Sequence, residues 1–185
     1  MCPITYAKLN RDQRLEIGDW RFVMATSLED LKVLGLAEGI ADSIWGQVVR
    51  WDEFARDTVG KQVVRTADSI GANIAEGFGR FHFGEKLQFL YYARGSLFET
   101  KYWLNRSLTR NLMPSADAKE FVTQLTTLAR QLNAFAKSLK SQRHSEQPSR
   151  TLKEVTPEYV TWAQDNVAPL FAHEDLDWLE AIPNL

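Results

Sequence analysis

Residues 118–139 read AKEFVTQLTTLARQLNAFAKSL, and this stretch decides the fold. Its apolar residues recur at spacings that alternate between three and four, which places them along one face of a helix. The same alternation is typical of the seam of a helix bundle or coiled coil, so this helix needs partner helices that cover the seam. The seam consists of Ala118, Phe121, Leu125, Leu128, Leu132, Phe135 and Leu139.

Three earlier stretches carry apolar rows with helical spacing and predict the partner helices. The first runs from about residue 31 to 52, after the capping-box sequence Ser27-Leu28-Glu29-Asp30. The second runs from about 57 to 79 and the third from about 83 to 112, and they end at Gly77-Phe78-Gly79 and Met113-Pro114-Ser115. Four helices joined by short breaks predict an all-α protein, an antiparallel up-down four-helix bundle over residues 28–140.

The two ends of the chain differ from this helical body. Residues 1–27 form an N-terminal extension without a clear periodicity, and residues 141–150 read as a polar linker. In the tail that follows, Thr156-Pro157 can open a short helix. The many large apolar residues of this tail predict that it docks, either on its own bundle or on a partner.

Charge divides the chain between the body and the tail. Residues 1–140 hold 19 Lys and Arg against 16 Asp and Glu, whereas residues 141–185 hold 3 against 8, within a net charge of -2. The body is therefore mildly basic and the tail acidic. We expect a cytoplasmic protein, because Cys2 is the only cysteine, no secretory signal is evident and no apolar run approaches the ~20 residues of a membrane span.

Catalytic and metal-binding signatures are missing from the sequence. His82, His144 and His173 lie far apart, and none has a partner at the spacing that a helical metal site uses. Phosphate-binding and nucleophile-elbow motifs are absent as well. We therefore expect no enzyme activity, no metal and no cofactor.

Two sets of polar residues stand out on the predicted helices. The second helix carries a polar row beside its apolar face, composed of Gln62, Arg65, Ser69, Asn73, Glu76 and Arg80. On the third helix, Arg94 and Lys101 fall within the apolar face, where an unpaired buried cation costs several kcal/mol. Asp68 or Glu76 could compensate them in an interhelical network. Alternatively, Arg94 and Lys101 line an anion-binding cavity or a subunit interface.

Residues 62–80, QVVRTADSIGANIAEGFGR, and residues 93–99, ARGSLFE, resemble two motifs of one protein family. This family consists of bacterial four-helix proteins encoded within intervening sequences of large-subunit ribosomal RNA genes. Together, these motifs and the proposed polar network define one set of candidate site residues. The set consists of Asp68, Ser69, Asn73, Glu76, Gly77, Arg94 and Lys101. Gly71 departs from the pattern, because the family often has proline there.

The resemblance implies a homopentamer of four-helix protomers. The family includes the accessory variability proteins of diversity-generating retroelements, which bind a reverse transcriptase and nucleic acid through basic surfaces. On this interpretation the chain is a non-enzymatic oligomeric accessory protein that binds RNA, DNA or a nucleoprotein. The phosphate contacts would then come from cations of the body, namely Arg50, Arg56, Lys61, Arg65, Arg80, Arg106 and Arg110.

A second hypothesis needs no nucleic acid. The chain would then be a protein–protein scaffold whose tail grips a partner through Trp162, Phe171 and Trp178. Tryptophan and other aromatic residues are enriched at binding hot spots.

Overall fold

The computed structural model describes Leu28, residues 31–146 and residues 168–182. Within these ranges every regular element is a helix and no strand occurs, which confirms the all-α class. Helix α1 spans Lys32–Val48, the short α2 spans Glu53–Ala55 and continues into a π-helical turn at Arg56–Gly60, and α3 spans Lys61–Gly79. Helix α4 spans Phe83–Thr109, α5 spans Ser115–Glu146 and α6 spans His173–Glu180.

The first helix is shorter than its apolar row predicts. It begins at Lys32, and the predicted capping residue Ser27 lies outside the described residues. The chain then turns, and Asp52 caps α2 by accepting a hydrogen bond from the backbone N–H of Ala55 at 2.9 Å. A polar N-cap of this kind satisfies a backbone donor that the first turn of a helix leaves unpaired.

Asn111 ends the long helix α4. Its φ of 56° lies in the left-handed region, and the backbone N–H of Leu112 donates to the carbonyl oxygen of Ser107 at 2.9 Å. This geometry is a common helix terminator. It stops α4 before the predicted end near residue 112, and α5 starts directly after Pro114.

The apolar rows of the four long helices meet in one core. Helix α1 packs against α3 and α5, and α4 packs against the same two helices. Six of the seven predicted seam residues of α5 are buried, while Phe135 is partly buried against the same core. The other long helices add a set of fully covered side chains, Ile40, Ile44, Val63, Ile70, Ile74, Leu90, Leu97 and Leu104.

Gly60 and Gly71 allow the chain to pack closely at two places. A Cβ atom on Gly60 would lie 2.7 Å from Cγ1 of Val48, so the π-helical turn sits directly against the end of α1. A Cβ atom on Gly71 would lie 3.7 Å from Cδ1 of Leu34, which is an ordinary contact across the α1–α3 boundary. Gly71 therefore continues α3 without a break, although glycine is a weak helix former.

The chain beyond residue 140 differs in part from the expected linker and tail. Helix α5 continues to Glu146, so the first six residues of the predicted linker are helical. The segment 168–182 then packs on the body, with Leu170, Phe171 and Leu179 only 2%, 1% and 0% exposed. The sequence predicts that the tail docks either on its own bundle or on a partner. In the structure, residues 168–182 dock on the bundle of the same chain. The helix start predicted at Thr156-Pro157 lies outside the described residues.

Candidate nucleic-acid interface and the docked C-terminal segment

The polar row of α3 lies beside α4. Asn73 donates from Nδ2 to the hydroxyl oxygen of Ser96 at 3.4 Å. Four residues further along α3, Gly77 lets the two helices approach closely, because a Cβ atom there would lie 3.1 Å from Cβ of Phe89. Ser69 precedes Asn73 by one turn on the same row, and its hydroxyl donates to the carbonyl oxygen of Arg65. The row thus forms one border of a surface shared by α3 and α4.

Aromatic residues of α4 form the other border of this surface. Tyr92 and Tyr102 are each 51% exposed. Tyr92 meets the ring of Phe89 edge to face at 5.5 Å, and Tyr102 meets the ring of Trp103 in the same way at 5.1 Å. Glu99 lies between the two tyrosines and accepts a hydrogen bond from the indole of Trp103 at 3.4 Å.

Arginines lie near both ends of this surface. Arg80 pairs with Glu76, and its guanidinium lies 4.7 Å from the centre of the Phe89 ring. Towards the other end, Arg65 donates to Gln62 and Arg106 donates to Thr109. We call this surface the α3–α4 face and define it by Gln62, Arg65, Ser69, Asn73, Glu76, Arg80, Phe89, Tyr92, Ser96, Glu99, Tyr102, Trp103, Arg106 and Arg110.

The remaining predicted phosphate contacts lie outside this face. Arg50 follows α1, Arg56 lies in the π-helical turn and Lys61 begins α3, and all three are exposed. The π-helical turn contacts α4, so these cations lie towards the Arg106 end of the face. Lys61 also pairs with Asp57 at 3.2 Å, which offsets part of its charge. The predicted cations therefore lie mostly at one end of the body, with Arg80 towards the opposite end of α3.

Asp68 belongs to a different surface. It lines a cleft of about 450 Å³ between α1 and α3 together with Glu38 and Asp42. Partial burial, and then the negative charge of Asp42, raise the pKa of Asp68 above its ordinary value. Asp68 forms no ion pair among the described residues, so it does not compensate Arg94 or Lys101 as predicted.

Arg94 takes its carboxylate partner from the C-terminal segment. It donates from Nη2 to Oδ2 of Asp175 at 2.9 Å, and its guanidinium lies 4.7 Å from the centre of the Phe98 ring. The predicted partner Glu76 pairs with Arg80 instead. Burial by itself would raise the pKa of Asp175, but the hydrogen bond from Arg94, the backbone N–H of Ala172 and the charge of Arg94 together lower it.

Lys101 is fully buried and has neutral partners. Its Nζ atom donates to the carbonyl oxygen of Ala181 at 2.6 Å and to Oδ1 of Asn105 at 3.1 Å. Burial disfavours the charged ammonium and lowers the pKa of Lys101 to about 8. Arg94 and Lys101 therefore join α4 to the C-terminal segment, and neither pairs with Asp68 or Glu76 of α3 as the sequence predicted.

Asn133 of α5 fixes the start of the same segment. Its amide donates to the carbonyl oxygen of Phe171 at 2.9 Å and accepts from the backbone N–H of Phe171 at 2.8 Å. On the α6 side, Glu180 pairs with Arg130. Asn133 and Asp175 were not predicted as site residues. For Asn133 one sequence signal existed, because its polar amide directly follows the seam residue Leu132.

The predicted partner-binding tail residues behave differently from one another. Phe171 packs at 5.7 Å from the Phe98 ring and is 1% exposed, so its surface is already used within the chain. This disagrees with the prediction that Phe171 grips another molecule. Trp178 lies 5.3 Å from the same ring and remains 43% exposed, while Trp162 lies outside the described residues.

The described part of the chain offers neither a metal site nor a membrane span. None of its groups of His, Cys, Asp and Glu side chains has the arrangement that could hold a metal ion. None of its helices combines the length and the apolar character that crossing a bilayer requires.

Comparison with known proteins identifies the family. A family model described as 23S rRNA-intervening sequence protein matches residues 29–134, which is more than half of the 185 residues. No curated protein matches the chain. The matched range contains α1, α3 and α4 in full and most of α5, together with the whole α3–α4 face. The chain belongs to the 23S rRNA-intervening sequence protein family.

Proposed function

We propose that this protein is a non-enzymatic, oligomeric accessory protein that binds nucleic acid through the α3–α4 face. The observation that carries the proposal is a surface with arginines at both ends, Arg80 at one and Arg65, Arg106 and Arg110 at the other, that includes residues of both family motifs and the exposed Tyr92 and Tyr102. Arginines supply the phosphate contacts of nucleic-acid-binding proteins, and aromatic rings supply the contacts with bases. A reverse transcriptase is the nucleoprotein partner that the family resemblance favours.

We further infer that the four long helices form an antiparallel up-down bundle. Two contacts support this topology between α3 and α4. Asn73 meets Ser96, while the later residue Gly77 meets the earlier residue Phe89. When residue numbers increase along one helix while those of the contacted residues decrease along the other, the two helices run antiparallel.

The oligomer in this proposal is a homopentamer, as the resemblance implies. A closed ring of identical chains uses two different patches of each chain, which fits a protein that leaves several large apolar side chains exposed. Trp45, Phe54 and Phe81 are 59%, 79% and 89% exposed. Light scattering should report a closed assembly of one defined size. A monomer of 21.2 kDa at micromolar concentration would contradict this part of the proposal.

Nucleic-acid binding is tested with full-length protein purified after nuclease treatment. Binding to single- and double-stranded RNA and DNA is measured over a salt series, since each phosphate contact contributes roughly 0.7–0.9 to the log–log salt slope. Arg65→Glu and Arg106→Glu should weaken binding to all sequences and flatten the slope. Lys32→Glu is the matched control, because Lys32 is an exposed cation of α1 outside the face. An affinity that does not depend on salt concentration would overturn the proposal. So would a Lys32→Glu variant that binds as weakly as the two arginine variants.

A further inference from the structure

Two tyrosines of the α3–α4 face have an unusual environment. Tyr92 and Tyr102 expose half of their surface, yet each ring is held by a second aromatic ring. Phe89 supports Tyr92 at 5.5 Å and Trp103 supports Tyr102 at 5.1 Å, both edge to face. Edge-to-face contact is a favourable arrangement of aromatic pairs and restricts the ring that it supports. Each tyrosine therefore offers a fixed, accessible aromatic surface.

The spacing of the two rings suits one extended ligand. Ten residues separate Tyr92 from Tyr102 along α4, which corresponds to ~15 Å at 1.5 Å per residue. This distance is more than four times the ~3.4 Å that one nucleotide occupies along a duplex strand. Ten residues also turn the helix by about 1000°, so the two rings lie about 80° apart around α4. A strand that contacts both rings would cross the helix obliquely and present different bases to them.

The charges around the rings favour a polyanion. Arg65, Arg106 and Arg110 have no carboxylate within salt-bridge distance among the described residues, so their charges remain available. Glu76 is neutralised by Arg80. Glu99 is the acidic exception, and it accepts a hydrogen bond from the indole of Trp103.

We propose that the α3–α4 face binds single-stranded nucleic acid by stacking bases on Tyr92 and Tyr102, with Arg65, Arg106 and Arg110 contacting the phosphates. This inference rests on the proposed function and names its substrate class. Base stacking on aromatic rings is sequence-tolerant because every base has a π-face. A duplex hides those faces within its own stack, so it can use the arginines but not the tyrosines.

The test compares one 20-nucleotide mixed-sequence RNA, single-stranded and annealed to its complement, on the full-length protein. Wild type should bind the single strand more tightly. Tyr92→Ser and Tyr102→Ser should each weaken single-strand binding roughly tenfold and leave duplex binding unchanged. Tyr92→Phe and Tyr102→Phe keep the ring and should retain binding. Phe81→Ser is the matched control, because Phe81 is 89% exposed outside the face.

The outcomes separate this inference from the proposed function. Equal losses for single strand and duplex, or no loss in either serine variant, would overturn the stacking proposal. Salt-dependent binding would then still support the proposed function. A wild-type protein that binds no nucleic acid would overturn both. A serine variant that changes the mass of the assembly, while its phenylalanine counterpart does not, would identify the rings as contacts between copies and also overturn the stacking proposal.

Discussion

The Nζ atom of Lys101 donates a hydrogen bond of 2.6 Å to the carbonyl oxygen of Ala181, a residue 80 positions later in the chain. A fully buried ammonium group is therefore held by a backbone carbonyl just beyond the end of α6 and by the amide of Asn105. Cations are favourable near helix C-termini, where carbonyl groups lack helical partners. The contact joins the C-terminal segment to the second half of α4.

Replacing this lysine should change how stability depends on pH. The pKa of Lys101 is about 8 in the folded protein against 10.5 ordinarily, so the unfolded chain binds more protons between these values. The free energy of unfolding of the wild type should therefore rise as the pH increases from 8 to 10.5. We expect Lys101→Met to be more stable than wild type at pH 7, by at most about 3 kcal/mol, with the advantage shrinking towards pH 10.

Denaturant unfolding of both proteins at pH 7 and pH 10 measures this effect. Lys119→Met provides the control, because Lys119 is exposed on α5. A stability difference between Lys101→Met and wild type that stays constant across this pH range would contradict the role assigned to burial.

The ion pair between Arg94 and Asp175 should also make the free energy of unfolding rise with pH, but in the acid range. The pKa of Asp175 is lowered, so its contribution to stability is complete above its ordinary pKa near 3.8 and disappears as the pH falls through the lower folded value. The side chains are 33% and 25% exposed, so the pair is only partly buried. We expect Asp175→Asn to cost roughly 1–2 kcal/mol at pH 7, and Arg94→Met to cost less.

A double-mutant cycle at pH 7 and pH 3 checks this pair. The coupling energy should be about 1 kcal/mol at neutral pH and smaller at pH 3, which lies below the ordinary pKa of 3.8. Coupling that persists unchanged at pH 3 would show that charge is not what joins the two residues.

Asn133 should control the docking of residues 168–182. Asn133→Ala leaves the backbone N–H and carbonyl oxygen of Phe171 without their partners, which costs roughly 1–3 kcal/mol for a buried group. Hydrogen exchange should therefore accelerate in this segment, while the buried turns of α3 and α4 keep their protection. Gln131→Ala is the control on the exposed side of α5. If hydrogen exchange accelerated equally in all helices, residues 168–182 would not undock independently of the bundle.

Two glycine substitutions should have opposite effects on the melting temperature. Gly60→Ala places a Cβ atom 2.7 Å from Cγ1 of Val48, a stiff buried side chain, and should cost roughly 1–3 kcal/mol. Gly39→Ala meets nothing within 4 Å in the middle of α1, so the better helix propensity should stabilise the protein by about 0.5–1 kcal/mol. Thermal unfolding followed by circular dichroism distinguishes them, and a destabilised Gly39→Ala would contradict the open surroundings of that residue.

The helices and the core could be predicted from the sequence, because helical periodicity is a local property. The seam from Ala118 to Leu139 and the row from Val59 to Ile74 both become buried as their spacing indicates. Helix ends were less predictable. Asn111 ends α4 in the left-handed conformation, two residues before the more obvious break at Met113-Pro114, and α5 continues through polar residues that resemble a linker.

The partners of the buried cations could not be predicted in the same way. Arg94 and Lys101 were correctly recognised as charges that need compensation. Their partners Asp175 and Ala181 lie about 80 residues away, and one of them is a backbone carbonyl that every residue type possesses. Asp68 and Glu76 were nearer candidates on a neighbouring helix, but Asp68 faces α1 and Glu76 pairs within its own helix.

The docked segment is the last described part of the chain to be translated. Residues 147–182 follow α5, and a ribosome adds about 5–20 residues per second, so their synthesis takes roughly 2–7 s. During this interval the residues of α4 and α5 have been synthesised, but Lys101 lacks the Ala181 carbonyl and Arg94 lacks the Asp175 carboxylate. The nascent protein therefore presents these two cations before its own C-terminal segment can cover them.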